Sequence, residues 1–469
     1  MDKKGLEKVI SNYSLYKEPD LDSQWITFAD ILPKIKKLEE NNLLSVSPAG
    51  ASIEGRKIYR IKAGNGNIKA LLWSQMHGDE NTATKAIFDI INFLISDKEP
   101  VSLRRTILDK LEIHFVPMLN PDGAEKFTRE NSINIDLNRD ALSLQCPESL
   151  ALIKIKDKLN PDFCFNLHDQ NRYYTAGKTD LTPALSLLSP PYDYENSINN
   201  ARKKGMKLIV QIKKALDDIL PGRIAKYSDE HEPRSFGDFI NKGNSSVILI
   251  ESGFIKNDPA KDKIRELNFT ALLTAFESIA LKSYEENLIN HYYDIPVNEN
   301  RCFDMLLKGL SLSAGGKEFN IDIGINNYLL PSAADREFYS KGIIEGLGDL
   351  STFTAHKIID CTGLNAHPGK IFSEKIFDYN DALAFDLNPV FESGHTTLLF
   401  KEDNRKNEYI NAPFNIYLGR SKNIHEIKPE SEANFSLSDS TGVRYLIING
   451  FLSEPPFNNK LIRNGLIFH

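Results

Sequence analysis

Two apolar periodicities alternate along the first 290 residues. From Ala83 onward the apolar positions Ala83, Ala86, Ile87, Ile90, Ile91 and Leu94 recur at helical spacing. A helix is therefore expected directly after the polar stretch QMHGDENT at residues 75–82. Longer helical patterns run over 198–220 and 263–282. Between them lie short, nearly continuous apolar runs of strand length: ALLW (70–73), LEIHFVPML (111–119), DFCFNL (162–167) and SVILI (246–250). Strands apolar on both faces, alternating with helices, predict an α/β sheet covered by helices on each side. At NHYYDIPVNENR (290–301) the rhythm changes. Beyond it come segments such as FNIDIGI, ALAFDL, TTLLF and RYLIING, punctuated by Gly, Pro and Asn, the pattern of a β-rich domain. Three parts are expected: a helical lead-in (1–45), a main α/β domain (46–290) and a smaller β-rich accessory domain (291–469).

Composition narrows the function classes. The formal charge of −7 provides no basic surface for nucleic acid or an anionic membrane, so neither is expected as a partner. The N-terminus lacks an apolar core of signal-peptide length and no run is long enough to span a bilayer, which predicts a cytoplasmic protein. Cys146, Cys164, Cys302 and Cys361 show no C-x-x-C pairing and are expected to be reduced, buried thiols. Oligomeric state is left open.

The candidate chemistry lies where the apolar runs end. After ALLWSQM come His77 and Glu80, after FCFNL comes His168, and after VILI comes Glu251. In open α/β sheets the carboxyl ends of strands line the ligand crevice, so these four residues are placed to converge from distant parts of the chain. Alone, His-x-x-Glu also reads as a turn with a solvated charge pair. Two imidazoles and one carboxylate suit an open zinc site with a position left for water, and Glu251 remains over as a base. Asp79 is expected outside the ligand set, capping the helix. His356, His367, His395, His425 and His469 in the second domain show no ligand-like pairing and are expected to be structural or surface residues.

The ordered set GASIEGRKIYRIKAG (50–64), MHGDE (76–80), PMLNPDGAEKFTREN (117–131), INIDLNRD (133–140), NLHDQ (166–170) and LIESG (249–253) resembles the zinc carboxypeptidases. The resemblance runs from about Val46 to Gly253. It implies a mixed, mostly parallel sheet with helices on both faces and one zinc ion per chain at the sheet's edge, held by His77, Glu80 and His168. It implies Glu251 as general base and Arg129 as the group that stabilises the developing oxyanion. It implies Asn138 and Arg139 as the clamp on a substrate's terminal carboxylate, with Asp136 hydrogen-bonded to the first zinc histidine. The expected activity is removal of a C-terminal residue from a peptide by metal-activated water.

Side-chain specificity is not fixed by the resemblance. Tyr227 is the nearest tyrosine to serve as one that closes over substrate, with His231 or Arg234 as alternatives. The residue that sets the side-chain pocket is Phe236, Gly237 or Asp238. Arg172, Tyr173 and Tyr174 are candidates to line the crevice. Two other functions stay open: an amidase or deacylase acting on a small acylated amino acid or cell-wall peptide, and a peptide-binding module without catalysis. Separately, residues 342–371 resemble the small β-domain segment of amidohydrolases. FSEKI follows in place of a metal-binding H-x-H, so no second metal centre is implied and a β-sandwich accessory is expected.

Overall fold

The apolar runs of the first half become neighbouring strands, and their alternation decides which helices each face receives. The structure is a computed structural model that describes residues 3–98, 100–332, 336–401, 408–419, 424–457 and 465–469. It divides into two units, Met1–Asn300 and Arg301–His469.

In the first unit the lead-in forms α1 (Lys3–Ser11) and α2 (Phe28–Glu39), followed by β1 (Leu44–Ala51), β2 (Lys57–Ala63) and β3 (Ile68–Trp73). Next come α3 (Thr82–Ile95), α4 (Val101–Lys110), β4 (Leu111–Val116), α5 (Pro121–Lys126) and α6 (Pro147–Leu159). Then β5 (Phe163–Asp169), β6 (Tyr174–Ala176), β7 (Leu185–Leu188), α7 (Asn200–Asp217), β8 (Ile224–Lys226), α8 (Phe236–Asn241) and β9 (Ser246–Ser252) follow. The unit closes with α9 (Asp262–Leu281), α10 (Asn290–Tyr293) and β10 (Asn298–Asn300). The eight-stranded sheet has the order β1-β2-β4-β3-β5-β9-β7-β8. Its centre, β4-β3-β5-β9, is parallel, while the β1-β2, β2-β4 and β9-β7 pairings are antiparallel, so the sheet is mixed.

Alternation sorts the side chains. Phe163, Phe165 and Leu167 of β5 join the core built with α3, α7 and α9. Cys164, from the same strand, joins Ala151, Leu152 and Ile155 of α6 and Phe236 and Ile240 of α8 on the opposite face. Helices thus cover both faces, as the continuous apolar strands require. The lead-in shares the first core through Leu6, Val9, Leu21, Ile31 and Ile35. It is also tied down by charge: Arg265 makes a bidentate pair with Asp89 at 2.6 and 2.7 Å, and Asp89 accepts from the Tyr13 hydroxyl and the Glu18 amide.

The second unit carries two sheets. The larger one is built from β11 (Cys302–Ala314), β12 (Lys317–Ser332), β13 (Glu337–Gly348), β14 (Thr354–Asp360), β15 (Asn365–Pro368), β20 (Phe435–Asp439), β21 (Gly442–Ile448) and β22 (Phe451–Ser453). The other has β16 (Lys370–Phe377), β17 (His395–Phe400), β18 (Tyr409–Ile410), β19 (Asn415–Tyr417) and β23 (Gly465–Phe468). The β16-β17, β17-β19 and β19-β23 pairings are parallel, which a plain antiparallel sandwich would not contain. The reason lies in the β16-to-β17 connection. It carries α11 (Tyr379–Ala384) and α12 (Asn388–Glu392) and crosses over instead of turning back. His425 is buried against the Thr397 hydroxyl at 2.7 Å, and His367 and His469 are exposed. All four cysteines are buried, and none is joined in a disulfide. Among the described residues no helix is long and apolar enough to cross a membrane.

Candidate metal and catalytic site

The turn after β3 answers why a histidine, a glycine and two carboxylates stand there. The chain leaves β3, bends back at residues 77–80, where the Glu80 amide donates to the His77 carbonyl at 3.2 Å, and enters α3 at Thr82. Gly78 is required by close approach: a Cβ there would stand 2.0 Å from the Gly123 carbonyl carbon. Asn81, not Asp79, occupies the N-cap position, so Asp79 is no helix cap. Its carboxyl is instead pushed up to about 6 by burial and by the charge of Glu80.

His168 lies near the end of β5 and pairs directly across the parallel ladder with Glu251 of β9. The four residues expected to converge do so in one cavity of about 520 Å³ at the carboxyl ends of β3, β5 and β9. The position is central in the sheet and not at an outer strand. One ligand atom from each of His77, Glu80 and His168 lies within 4.8 Å of the others, the only such three-donor group among the described residues. The His77 and His168 Nδ1 atoms are 3.1 Å apart, and the two Glu80 oxygens approach them at 2.7 Å each. Four-coordinate zinc with bonds near 2.0–2.1 Å separates its donors by about 3.3 Å. The donor set therefore fits zinc by type, with its atoms gathered slightly closer together than zinc would hold them.

Electrostatics agree with that fit. Burial works against the Glu80 carboxylate, yet the two imidazoles facing it hold it well below the usual range. Burial also opposes charge on His77, but Glu80 at Nδ1 and Asp136 at Nε2 (3.1 Å) push it up to about 9. His168 is lowered by burial despite Glu80 and stays neutral, and its Nε2 is buried with no hydrogen-bond partner. Asp136 fixes the His77 ring from behind, as the resemblance implies.

Arg129 reaches the same cluster. Its Nε and Nη2 bond Asp136 at 3.1 and 3.0 Å, and Nη1 lies 3.1 Å from His77 Nδ1 and 3.4 Å from Glu80. Asp136 also caps the short turn Leu137–Arg139 through the Asn138 amide, bringing Asn138 and Arg139 to the cavity wall. The Asn138 side-chain oxygen accepts from the Phe236 amide at 3.0 Å and so joins this turn to α8. The Arg139 side chain is 39 % exposed, with Glu232 at 3.4 Å. Glu251 is buried in the cavity, its carboxyl raised well above the ordinary value by burial and by the charge of Glu80.

The remaining candidate residues divide. Tyr227 and Tyr174 both line the cavity, and the Glu251 charge contributes to raising both phenols, as the first cause at Tyr227 and after burial at Tyr174. Tyr173 is buried. Arg172 is not among the cavity-lining residues; its guanidinium lies 5.8 Å from the ring centres of Tyr173 and Phe254. Phe236 is sealed in the core, whereas Gly237 and Asp238 face the cavity. Asn166 was not singled out beforehand. It lines the cavity two residues before His168, and period-2 alternation from that histidine was the signal that pointed to it.

Residues 32–175 match the zinc carboxypeptidase family. That stretch contains every expected site residue up to Arg172, while Tyr227 and Glu251 lie beyond it. Carboxypeptidase SOL1 of Arabidopsis thaliana is 31% identical over 88 residues, covering 17% of this chain and 18% of its own length. Probable carboxypeptidase 2 of Arthroderma benhamiae is 23% identical over 236 residues, 49% of this chain and 40% of that protein. The chain thus spans less than half the length of either relative. A metallo-carboxypeptidase structure from Burkholderia cenocepacia gives a TM-score of 0.46 at 16% identity, covering 55% of this chain and 70% of that one.

Proposed function

For a chain similar to the zinc carboxypeptidases over residues 32–175, we propose a zinc-dependent metallopeptidase that removes one C-terminal residue from a peptide. The observation that carries this reading is the three-donor cluster of His77, Glu80 and His168 with Glu251 in the same cavity. Zinc held by the three donors supplies polarisation of the scissile carbonyl and a more acidic water.

The chain's own groups do the rest. Glu251, in a partly dry cavity, takes the proton of the attacking water and returns it to the leaving amine. Arg129, locked by Asp136, presents Nη1 to the oxygen that becomes negative in the transition state, where that contact is worth most. Asn138 and Arg139 receive the terminal carboxylate, a task suited to a guanidinium fork. Tyr227 covers the bound residue beside Glu251. Retention of both Glu251 and Arg129 speaks against a binding module without catalysis.

The test is a set of short peptides offered as free acids and as C-terminal amides, with zinc-loaded and chelated protein. A charge-assisted hydrogen bond contributes about 1.5–3 kcal/mol, so free acids should be cleaved about 10- to 100-fold better than amides. Activity should vanish on chelation, and Arg139→Ala should erase most of the preference while zinc stays bound. Equal hydrolysis of both forms, with turnover on acyl-amino acids, would favour the amidase reading.

A further inference from the structure

The turn that carries His77 and Glu80 is gripped from two sides. On one side Gly78 lies against the first turn of α5, where only a residue without a Cβ fits. On the other runs the lead-in stretch at residues 23–26, just ahead of α2. Both residues that bracket the turn reach across to the backbone of that stretch, 57 and 49 positions upstream. Asn81 Nδ2 donates to the Gln24 carbonyl at 2.6 Å, and Gln75 Nε2 donates to the Ile26 carbonyl at 2.9 Å.

Each side chain forgoes what its position favours. Asn81 is the N-cap of α3, where an asparagine ordinarily accepts from an amide of the first turn, yet it makes no cap bond. Gln75 has φ +48°, in the left-handed region that a residue with a Cβ enters only at a cost. Such strain persists where the surrounding structure over-determines it. At Gln75 the side chain does so. It is 0 % exposed, donates a second time to the Gly78 carbonyl at 2.9 Å, and accepts from the Thr84 hydroxyl at 2.9 Å. One buried amide thus ties together the lead-in, the turn itself and α3.

The stretch they grip is fixed in turn. The Trp25 indole donates to the Ala124 carbonyl of α5 at 2.8 Å, and its ring stands 5.4 Å from that of Phe127. Lys85 of α3 donates to the Ser23 carbonyl at 3.3 Å. Asn81 follows Glu80 directly and Gln75 precedes His77 by two residues, so movement of the lead-in passes straight to both donors.

We infer that the lead-in stretch 23–26 is a working part of the metal site: gripped by Gln75 and Asn81, it holds the turn bearing His77 and Glu80 in place, and through that turn it sets the affinity for the metal. The hold on the turn stands on its own geometry, and its consequence for the metal rests on the donor assignment above. Gln75 and Asn81 are positioning residues; neither lines the cavity.

The experiment compares the full chain with Asn81→Ser and Gln75→Gly. Serine caps a helix about as well as asparagine but is too short to reach Gln24, and glycine relaxes the backbone at residue 75 while removing its bonds. Chelator competition reads zinc affinity, and hydrogen exchange of the zinc-free chain reads the turn. Each variant should bind zinc about 10-fold more weakly, as loss of support behind a metal ligand does. Exchange at residues 76–82 should quicken by about 10-fold while that of β5 and β9 stays as in the parent chain. Unchanged zinc affinity in either folded variant overturns the inference. Weaker binding with equally faster exchange across β5 and β9 overturns it too, because that marks a general loss of stability. If the parent chain takes up no zinc, the metal assignment fails, and exchange alone decides the hold on the turn: quickening confined to 76–82 sustains it, and no local change overturns it.

Discussion

Replacing Glu251 by glutamine removes the proposed base at constant shape. Glu251 is 7 % exposed and lines the same cavity as the proposed metal donors. The neighbouring carboxylates are mostly committed elsewhere. Asp169 Oδ2 is engaged by the Thr82 hydroxyl and by Lys261 at 2.9 Å, with Oδ1 left buried and unpartnered, and Asp238 is engaged by His231, Ser235 and the Glu232 amide. Glu80 faces two imidazoles. Positioned proton transfer contributes about 10²- to 10⁴-fold, and the loss in kcat should fall in that range. At about 1.4 kcal/mol per tenfold this corresponds to roughly 3–5.5 kcal/mol of transition-state stabilisation. Zinc stoichiometry should remain one per chain, because the three donors are untouched.

A second readout comes from stability. Burial and the Glu80 charge raise the folded carboxyl above its unfolded value of about 4.3. The folded, zinc-free chain therefore binds this proton more tightly than the unfolded chain does. Its contribution is present at acid pH and lost as pH rises through the folded value. Glu251→Gln does not titrate, so its thermal midpoint should gain on that of the parent chain as pH rises from about 4 towards neutrality. Stopped-assay kinetics, metal analysis and a pH series of thermal melts test all three. Near-normal turnover would remove Glu251 from the mechanism, loss of zinc would place it among the ligands, and a parent advantage growing with pH would refute the burial argument.

His168→Ala should abolish stoichiometric zinc binding, measured by metal analysis after gel filtration; retention of one zinc per chain refutes the donor assignment. Asp136→Asn should weaken zinc affinity by about 10- to 100-fold, since it loosens both the His77 ring and Arg129; chelator competition measures this, and unchanged affinity refutes it. In the second unit His425 is lowered to about 4 by burial, against about 6.5 when unfolded. Its contribution is full above the unfolded value and is lost as pH falls through the folded one, amounting to about 3 kcal/mol. Denaturant titrations of the chain and of His425→Gln between those pH values should show the slope disappear, and an unchanged slope refutes this origin.

The site was legible in the sequence where it rides on strands, and less so where it rides on loops. Period-2 alternation and the carboxyl-end rule were enough to bring His77, Glu80, His168 and Glu251 together, because a buried parallel strand leaves its terminal side chains little freedom. The specificity wall could not be read the same way. Phe236, Gly237 and Asp238 were equivalent candidates until α8 was seen to start at Phe236. A helix turns about 100° per residue, which sends the phenylalanine into the core and leaves the next two positions facing the cavity. Arg139 differs for another reason. Its partner, Glu232, comes from a loop more than ninety residues away, and that carboxylate is drawn down to about 2 mainly by Arg234. No local pattern announces such a pairing. The parallel sheet of the second unit was hidden likewise, because a short apolar strand reads the same whichever way its neighbour runs.

The same division has a mechanistic consequence. The proposed donors and base sit on β5, β9 and the glycine-tight turn after β3, where ladder hydrogen bonds and core packing hold them. The proposed carboxylate clamp sits on a one-turn helix at the rim, with Arg139 39 % exposed and already sharing a counter-ion. Rigid strands keep the donor spacing within the few tenths of an ångström that metal binding demands. A rim of short turns can shift by more than that as a peptide terminus arrives. Substitutions on the strands should therefore act mainly on metal content and kcat, and substitutions at Arg139 or Glu232 mainly on KM. Glu232→Gln makes the separation measurable, because it releases Arg139 from its counter-ion without touching the donor cluster. KM for free-acid peptides should change several-fold while kcat and zinc content stay within about two-fold. A kcat loss as large as that of Glu251→Gln would mean that the rim and the donor cluster move as one body.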